Sequence, residues 1–135
     1  FIIVDTIHKL AKKMGIKGGD KVYIFTRLRL ANDEPMMLET SHVPCSRFPG
    51  LTKEDLQQNA MYDIFMKRYN TIFTCAEEVF QSVLTREDEA ELLQYIPGTP
   101  SMMIERTTHE KENIIEYTKS IARGDRFKYH VMLKK

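Results

Sequence analysis

Alternation of apolar and polar positions predicts β-strands over much of the chain. In Lys21–Ala31, aliphatic side chains fall on one face while aromatic and arginine side chains fall on the other, as in a half-buried strand. The glycine and aspartate at Gly124-Asp125 mark a tight turn, so Ile114–Val131 is interpreted as a hairpin of two strands. The predicted strands are Lys21–Ala31, Met36–Val43, Thr71–Leu84, Ser101–Glu110, Ile114–Arg123 and Arg126–Leu133.

Apolar residues at helical spacing predict four helices between these strands. In the first, Asp5 is a suitable N-cap and Gly15 is well placed to end the helix. Thr52 and Asp55 have the spacing of a capping box, and Thr85 is the predicted N-cap of the last helix. The predicted helices are Phe1–Met14, Thr52–Leu56, Asn59–Tyr69 and Thr85–Leu93. Runs of strands with helices grouped between them predict an α+β fold with a mostly antiparallel sheet.

Composition narrows the class of protein. A chain of 135 residues, with 42% hydrophobic and 29% charged residues, is typical of one globular domain. A net charge of +1 provides no concentrated basic face for nucleic acid, and no apolar run reaches the length of a membrane span. Cys45 and Cys75 are far apart and the four histidines lack metal-ligand spacing, so we predict reduced thiols, no metal site and no cofactor.

Arg27 and Arg29 are the first candidate functional residues. Two residues apart on a strand, they leave the same face, and guanidinium groups bind phosphate or carboxylate in bidentate fashion. One interpretation is therefore an anion clamp. The alternative is a pair of surface arginines: if Ala31 and Pro35 face each other at the turn, Glu39 lies opposite Arg27 in a cross-strand ion pair worth about 0.2–1 kcal/mol. Spacing alone favours the alternative.

Two acids inside strand patterns, Glu39 and Glu116, are the second candidates. On the strand of Glu116, Thr118 and Ser120 share its face, which gives one acid and two hydroxyls suited to a polyol or amine. The alternative for Glu116 is a salt bridge to Arg106 on the adjacent strand. In both interpretations a buried charge needs a partner.

Three segments resemble the UTRA module, the effector-binding domain of GntR-type bacterial transcription regulators of the HutC subfamily. They are TRLRL (Thr26–Leu30), SHVPCSRFPGL (Ser41–Leu51) and IIEYTKSIARGDRFKYHV (Ile114–Val131). The resemblance extends from about Leu10 to Leu133. It implies a chorismate lyase-like sheet of about six strands with helical insertions on one face. It also implies that residues 1–135 form one ligand-binding domain, preceded in the whole protein by a winged-helix DNA-binding domain.

The resemblance assigns the site as well. In the family an arginine pair on the first long strand holds an anion, and acids on the second and penultimate strands hold the polar remainder of the ligand. Where members that bind amino-sugar phosphates have a serine before a Leu-Tyr pair, this chain has Asn59-Ala60-Met61-Tyr62, so Asn59 is the residue that could replace the serine. The expected effector-binding residues are Arg27, Arg29, Glu39, Asn59, Tyr62, Glu116 and Ser120.

The resemblance implies the sensing and dimerisation domain of a cytoplasmic repressor without catalytic residues. The expected effector is a small anionic metabolite, with a phosphorylated sugar or amino sugar as the first expectation. The expected assembly is a homodimer that contacts DNA only through the winged-helix domain and has no membrane partner. The alternative is a chorismate lyase-like enzyme acting on a small carboxylated substrate, which two arginines would suit equally well. A third option is a dimerisation module with a degenerate pocket.

Overall fold

A computed structural model describes all residues of the chain, 1–135, as an antiparallel sheet flanked by short helices. The strands are β1 (Ile2–Asp5), β2 (Lys21–Ala31), β3 (Glu34–Pro44), β4 (Cys75–Leu84), β5 (Pro100–Glu110) and β6 (Asn113–Arg123). The helices are α1 (His8–Met14), α2 (Lys53–Gln58), α3 (Met61–Tyr69) and α4 (Glu87–Leu93). The sheet has the order β1-β2-β3-β6-β5-β4, which confirms the α+β prediction with six strands.

The hairpin of β2 and β3 closes through a two-residue turn at Asn32 and Asp33. Both residues have positive φ, 51° and 64°, as the turn that matches the twist of paired strands requires. Ala31 pairs with Glu34 rather than with Pro35, but a bulge between Arg29 and Leu30 shifts the register by one residue. The bulge brings Arg27 opposite Glu39, the pairing expected from the sequence.

Helices cover both faces of the sheet, so the expectation that they lie on one face is wrong. On the front face, α2 and α3 enclose the main core with residues from the strands. On the back face, Met14 of α1 packs on Val22 and Leu93 of α4 packs on Leu38 and Ile121. The strands carry apolar residues on both sides, and each apolar side has to be covered. None of the helices is long and apolar enough to cross a membrane.

The start of the chain is a strand and a helix, and the prediction of one helix over Phe1–Met14 is wrong. Ile2–Asp5 pairs with β2, and α1 begins only after the N-cap Ile7, so Asp5 caps nothing. Consecutive β-branched residues at the start of the chain favour the strand. Gly15 ends α1 as predicted, in the left-handed conformation with φ 63°.

The C-terminal strand predicted at Arg126–Leu133 does not form, and the hairpin prediction for Ile114–Val131 is wrong. The strand β6 lies between β3 and β5, so both of its edges already carry hydrogen bonds and neither can accept a hairpin partner. The chain instead leaves β6 through a helical turn, in which Phe127 N–H donates to the Arg123 carbonyl at 2.9 Å. From Phe127 to Lys135 there is no regular secondary structure.

The sequence predicts the N-cap of α2 correctly but places the N-cap of α4 one residue too early. The capping box of α2 is confirmed, because Thr52 Oγ1 accepts from Asp55 N–H and the Asp55 carboxylate accepts from Thr52 N–H. For α4 the N-cap is Arg86, one residue later than predicted. The Thr85 hydroxyl instead donates to the Thr99 carbonyl at 2.7 Å.

Candidate functional site

A cavity of about 290 Å³ opens on the front face between the sheet and the start of α3. Its size lies near the lower end of the ~300–1,000 Å³ typical of small-molecule sites, which fits a small metabolite. The structure brings six of the seven expected effector-binding residues to its wall. They are Arg27, Arg29, Glu39, Tyr62, Glu116 and Ser120.

Strand order explains why residues far apart in sequence meet here. The strand β3 lies between β2 and β6, and in register Arg27 is opposite Glu39, which is opposite Ser120. One row of side chains thus crosses three strands on the front face. Thr118 and Glu116 continue along β6 on the same face, since alternate residues of a strand share a face.

Glu39 is shared by the two arginines. Its Oε1 accepts a hydrogen bond from Arg29 Nε at 3.2 Å, while its Oε2 lies 3.9 Å from Arg27 Nη2. Only 25% of the Arg27 side chain is exposed, against 56% for Arg29. Burial, and then repulsion from Arg29, lowers the pKa of Arg27. One carboxylate facing two guanidinium groups leaves an excess of positive charge at this end of the cavity.

Arg27 also carries an unpaired donor. Its Nε is buried and has no hydrogen-bond partner in the protein. A buried donor without an acceptor costs about 1–3 kcal/mol. The Nε itself is closed to solvent, so an anion in the cavity would meet the remaining guanidinium donors of Arg27, which pair well with phosphate and carboxylate oxygens.

Glu116 differs from Arg27, because side chains of the protein donate hydrogen bonds to both of its carboxylate oxygens. Only 1% of the residue is exposed, and its Oε1 accepts from Tyr62 Oη at 2.6 Å and from Thr108 Oγ1 at 2.8 Å. Thr118 donates to Oε2, and the Ser41 and Thr118 hydroxyls lie 2.8 Å apart. Such charge-assisted bonds hold the carboxylate in one place.

Tyr62 connects Glu116 to Arg106. Its hydroxyl accepts from Arg106 Nη1 at 2.9 Å while donating to Glu116, so the two charges are bridged, and the alternative for Glu116, a direct salt bridge to Arg106, is not made. Burial and the neighbouring Glu116 carboxylate raise the pKa of Tyr62 to about 12, which keeps the hydroxyl protonated as a donor. Arg106 Nη2 also donates to Glu78 Oε2 on β4 at 3.2 Å.

Arg106 and Glu78 are cavity residues that the sequence reasoning did not assign to the site. The sequence indicates Arg106 only as a possible salt-bridge partner of Glu116. The register of β5 with β6 could have identified Arg106 as a cavity residue, because Thr108 lies opposite Glu116 and Arg106 is the next residue on that face of β5. Glu78 offers no comparable signal, since it reaches the cavity only because β4 is the edge strand beside β5.

Asn59 does not line the cavity. It is the exposed C-terminal cap of α2, while Ala60, Met61 and Tyr62 form this part of the wall. Ala60 is the N-cap of α3 and has no side chain to bond the first turn of that helix. The helix therefore presents its first N–H groups without a capping side chain beside the arginines. No group of three or more His, Cys, Asp or Glu side chains is close enough to hold a metal ion.

Residues 4–128 match the model of the UTRA domain family. The chain is 33% identical over 129 residues to the HTH-type transcriptional repressor NagR of Bacillus subtilis, covering 94% of this chain and 52% of NagR. It is 26% identical over 125 residues to the HTH-type transcriptional repressor PhnF of Mycolicibacterium smegmatis, covering 92% of this chain and 51% of PhnF. The chain thus spans about half the length of these relatives.

Solved structures share the fold. The ligand-binding domain of a GntR-family regulator from Bordetella bronchiseptica superposes with a TM-score of 0.91 at 21% identity, covering 98% of this chain and 87% of that one. The C-terminal domain of the histidine utilization repressor from Pseudomonas syringae gives a TM-score of 0.84 at 21% identity, covering 98% and 93%.

The relatives decide between regulator and enzyme. NagR and PhnF are transcriptional repressors, so the alternative of a chorismate lyase-like enzyme has no support among them. The family model covers nearly the whole sheet and every residue of the cavity wall. The chain therefore belongs to the UTRA family, the effector-binding domains of GntR-type transcriptional regulators.

Proposed function

We propose that this domain senses a small anionic metabolite, a phosphorylated sugar or amino sugar, and thereby controls DNA binding by a transcriptional repressor. The observation that carries the proposal is the pair of guanidinium groups, Arg27 and Arg29, which share the single carboxylate of Glu39 in the wall of the front-face cavity. The phosphate would lie between the two guanidinium groups and the uncapped start of α3, where N–H groups and the helix dipole favour an anion.

The remainder of the cavity suits a polyhydroxylated or amino-substituted body. Glu39 accepts hydrogen bonds from hydroxyl or amine groups, and the Ser120 hydroxyl lies opposite it across the strand pair. Met37 and Ile104 supply apolar contact beside these polar groups. Glu116 takes part through the ordered hydroxyl of Tyr62 more than through its own oxygens, because three protein donors already occupy it. Asn59 would need to turn towards the cavity to contribute.

The rest of the proposal concerns the whole protein. We infer that a winged-helix DNA-binding domain precedes residues 1–135, which the names of the relatives as HTH-type repressors support. We also infer that the whole protein is a cytoplasmic homodimer. The effector would favour one dimer geometry over another, and so change whether two DNA-binding domains match the spacing of their operator. This coupling requires the effector to bind the two geometries with different affinity.

Thermal-shift screening tests the ligand class. Phosphorylated sugars and amino sugars are compared with their dephosphorylated counterparts, because a ligand that binds only the folded state raises the midpoint of unfolding. At a hundredfold excess over the dissociation constant, the stabilisation is about 2.7 kcal/mol, or several degrees for a domain of this size. We expect a shift for at least one phosphorylated compound and none for its dephosphorylated form.

Two variants make the screen specific. Arg29→Gln should abolish the shift, whereas Arg86→Gln, on the exposed start of α4 away from the cavity, should preserve it. If a dephosphorylated sugar stabilises the domain as strongly as its phosphate, the anion clamp is wrong. If Arg29→Gln responds like the unmodified chain, the assigned cavity is wrong.

A further inference from the structure

A second cavity, here called the back-face cleft, lies on the side of the sheet away from the two arginines. It is formed by Thr26, Thr40 and Lys119 of the sheet and by Glu89 and Leu92 of α4, with their neighbours. Its volume is about 340 Å³, against about 290 Å³ for the front-face cavity, and the two share no wall residue. Small-molecule sites typically measure ~300–1,000 Å³, so the cleft can hold a compact metabolite.

Strand pairing forms the floor of the back-face cleft. Thr26 lies opposite Thr40, and Thr40 lies opposite Lys119, so one polar row crosses β2, β3 and β6. On one side of this row α4 packs on Leu38 and Ile121, and α1 covers the opposite end of the same strands. Thr26 and Lys119 are exposed and Thr40 is half-buried. The two helices therefore leave the polar row between them open to solvent.

Lys119 is a cation without an ion-pair partner in the middle of the sheet. Glu105 lies opposite it on β5 but pairs with Lys13 at 2.7 Å instead. Beside Lys119, the hydroxyls of Thr26 and Thr40 lie 3.0 Å apart. Only one of these hydroxyls can donate to the other, so the second keeps a hydrogen for a further acceptor. An ammonium next to a hydroxyl donor suits a carboxylate.

Glu89 carries the opposite charge on the wall that α4 forms. Its Oε1 accepts from Arg86 N–H at 3.0 Å, whereas its Oε2 has no hydrogen bond within the protein. The neighbouring Asp88 differs, because both of its oxygens accept from the Arg86 guanidinium, at 3.1 and 2.6 Å. Glu89 forms no ion pair, so its carboxylate is free to accept from the ammonium group of a ligand.

The charges of the back-face cleft balance. Arg86 and Asp88 neutralise each other, which leaves one positive charge on Lys119 and one negative charge on Glu89. His42 adds no charge near pH 7, because burial lowers the pKa of its imidazole and the nearby Lys119 adds to this effect, although a backbone hydrogen bond partly opposes it. Separated opposite charges without a net charge favour a zwitterion over an anion.

Apolar side chains complete the wall. Leu38 and Ile121 are buried in the floor beside α4, while Leu92 of α4 is 55% exposed. A half-exposed leucine next to two buried aliphatic residues leaves apolar surface that a ligand side chain can cover. The cleft thus combines a carboxylate site, an ammonium site and an apolar surface.

We propose that the back-face cleft is a second ligand site, which binds an α-amino acid with an apolar side chain. The carboxylate of the ligand lies on Lys119 and the threonine hydroxyls, its ammonium group lies on Glu89, and its side chain packs on Leu92. This inference goes beyond the proposed function, because the sugar phosphate occupies the other face of the sheet.

Calorimetric titration with L-leucine, L-isoleucine, L-methionine and L-phenylalanine tests the ligand class. We expect at least one of them to bind saturably and to shift the amide resonances of Thr40 and Lys119 in NMR spectra of the isotope-labelled chain. The corresponding amine and the corresponding carboxylic acid, which each lack one of the two charges, should bind at least tenfold more weakly.

Two pairs of variants test the site. Lys119→Gln and Glu89→Gln should each weaken binding at least tenfold. The amide oxygen that Glu89→Gln introduces can still accept from Arg86 N–H, so α4 keeps its capping interaction. The matched controls are Lys67→Gln on exposed α3 and Glu87→Gln in the first turn of α4, both outside the cleft wall, and they should leave affinity unchanged. Circular dichroism verifies that each variant is folded.

Three results would overturn the inference. None of the four amino acids could bind, or the amide shifts could cluster around Arg27 and Arg29 on the front face. Alternatively, Lys119→Gln or Glu89→Gln could bind the amino acid as tightly as the unmodified chain. The sugar-phosphate titrations use other ligands and the front-face variants, so a failure of the second site is distinct from a failure of the proposed function.

Discussion

Arg27 and Glu116 are two largely buried charges on one face of the sheet, and the protein treats them differently. Glu116 receives three hydrogen bonds from Tyr62, Thr108 and Thr118, whereas the Nε of Arg27 receives no partner. Burying a charge without full pairing destabilises a fold by several kcal/mol. Arg27 also shares the one carboxylate of Glu39 with Arg29, so we expect Arg27 to oppose stability and to support the binding of an anion.

Arg27→Met tests that opposition. Methionine keeps the unbranched stem of the side chain and removes the buried charge, while Glu39 retains its hydrogen bond to Arg29. We expect the free energy of unfolding without ligand to stay within about 1 kcal/mol of the original or to rise. Binding of the sugar phosphate should weaken at least tenfold. Urea unfolding and ligand titration of the same preparation measure both quantities.

The matched comparison is Arg47→Met, which removes an arginine that the protein satisfies. Arg47 forms a bidentate pair with Glu110 at 2.7 and 2.9 Å and also donates to the Tyr69 carbonyl. Its loss should destabilise the domain by about 2–3 kcal/mol, since a hydrogen-bonded carboxylate is left without its cation. Equal destabilisation by Arg27→Met and Arg47→Met would contradict the distinction between the two arginines.

Tyr62→Phe tests the bridge between Arg106 and Glu116. Removing the hydroxyl leaves both charged groups short of one hydrogen bond in a buried place, so we expect a loss of about 1–3 kcal/mol in unfolding free energy. Tyr69→Phe is the control, because its hydroxyl bonds the Pro49 carbonyl at an exposed position and should cost less. Urea denaturation of the two variants decides the order, and a larger loss from Tyr69→Phe would contradict the account.

At the residue scale, the sequence could predict which residues share a face and that Arg27 lies opposite Glu39, but not the hydrogen bonds around Glu116. Strand periodicity placed Arg27 with Arg29 and Glu116 with Thr118. The link from Glu116 to Arg106 through Tyr62 depends on where α3 packs against the sheet, which no local pattern encodes. Asn59 shows the same limit. It is exposed at the end of α2, whereas the next residue, Ala60, lines the cavity, and no local pattern distinguishes the two positions.

At the scale of elements, local patterns located most strands but not their neighbours. Arg126–Leu133 has the alternation of a strand, yet β6 has no free edge to receive it. The short strand β1 was missed because Ile3 and Ile7 also fit a helical spacing, and only pairing with β2 decides between the two. Strand pairing is a property of the sheet, so sequence periodicity alone cannot assign it.

Gly124→Ala tests the turn that follows β6. A Cβ at this position would lie 2.4 Å from the Pro100 carbonyl oxygen, so the backbone has to shift. We expect a loss of about 1–3 kcal/mol in unfolding free energy. Gly18→Ala is the control, because a Cβ there meets nothing within 4 Å, and it should be neutral or slightly stabilising. Thermal denaturation of both variants makes the comparison, and equal midpoints would contradict it.

At the scale of the whole molecule, helices cover both faces of the sheet and so bury a titratable residue, His42, that is not part of the wall of the front-face cavity. His42 lies on the back face, where its Nδ1 is 2.9 Å from the Tyr117 carbonyl and its ring packs on that of Tyr117. Burial lowers the pKa of His42, although the hydrogen bond to the Tyr117 carbonyl partly opposes the shift. The folded state therefore binds fewer protons than the unfolded state near the ordinary pKa of 6.5.

Stability should fall as the pH is lowered through 6.5, because the unfolded state takes up a proton that folded His42 resists. One such group contributes at most about 1.4 kcal/mol per pH unit. His42→Gln should flatten this part of the profile relative to the unmodified chain. Urea unfolding between pH 7.5 and 5 measures the slopes, and identical profiles for the two proteins would contradict the assignment.

The most direct measurement is a calorimetric titration of the domain with a phosphorylated sugar that gives a thermal shift. The account predicts saturable binding to the unmodified chain and to Arg86→Gln, at least tenfold weaker binding to Arg27→Met and Arg29→Gln, and no binding of the dephosphorylated sugar. Equal affinity for all four proteins, or for the sugar with and without its phosphate, would contradict the claim that these two arginines hold the anion.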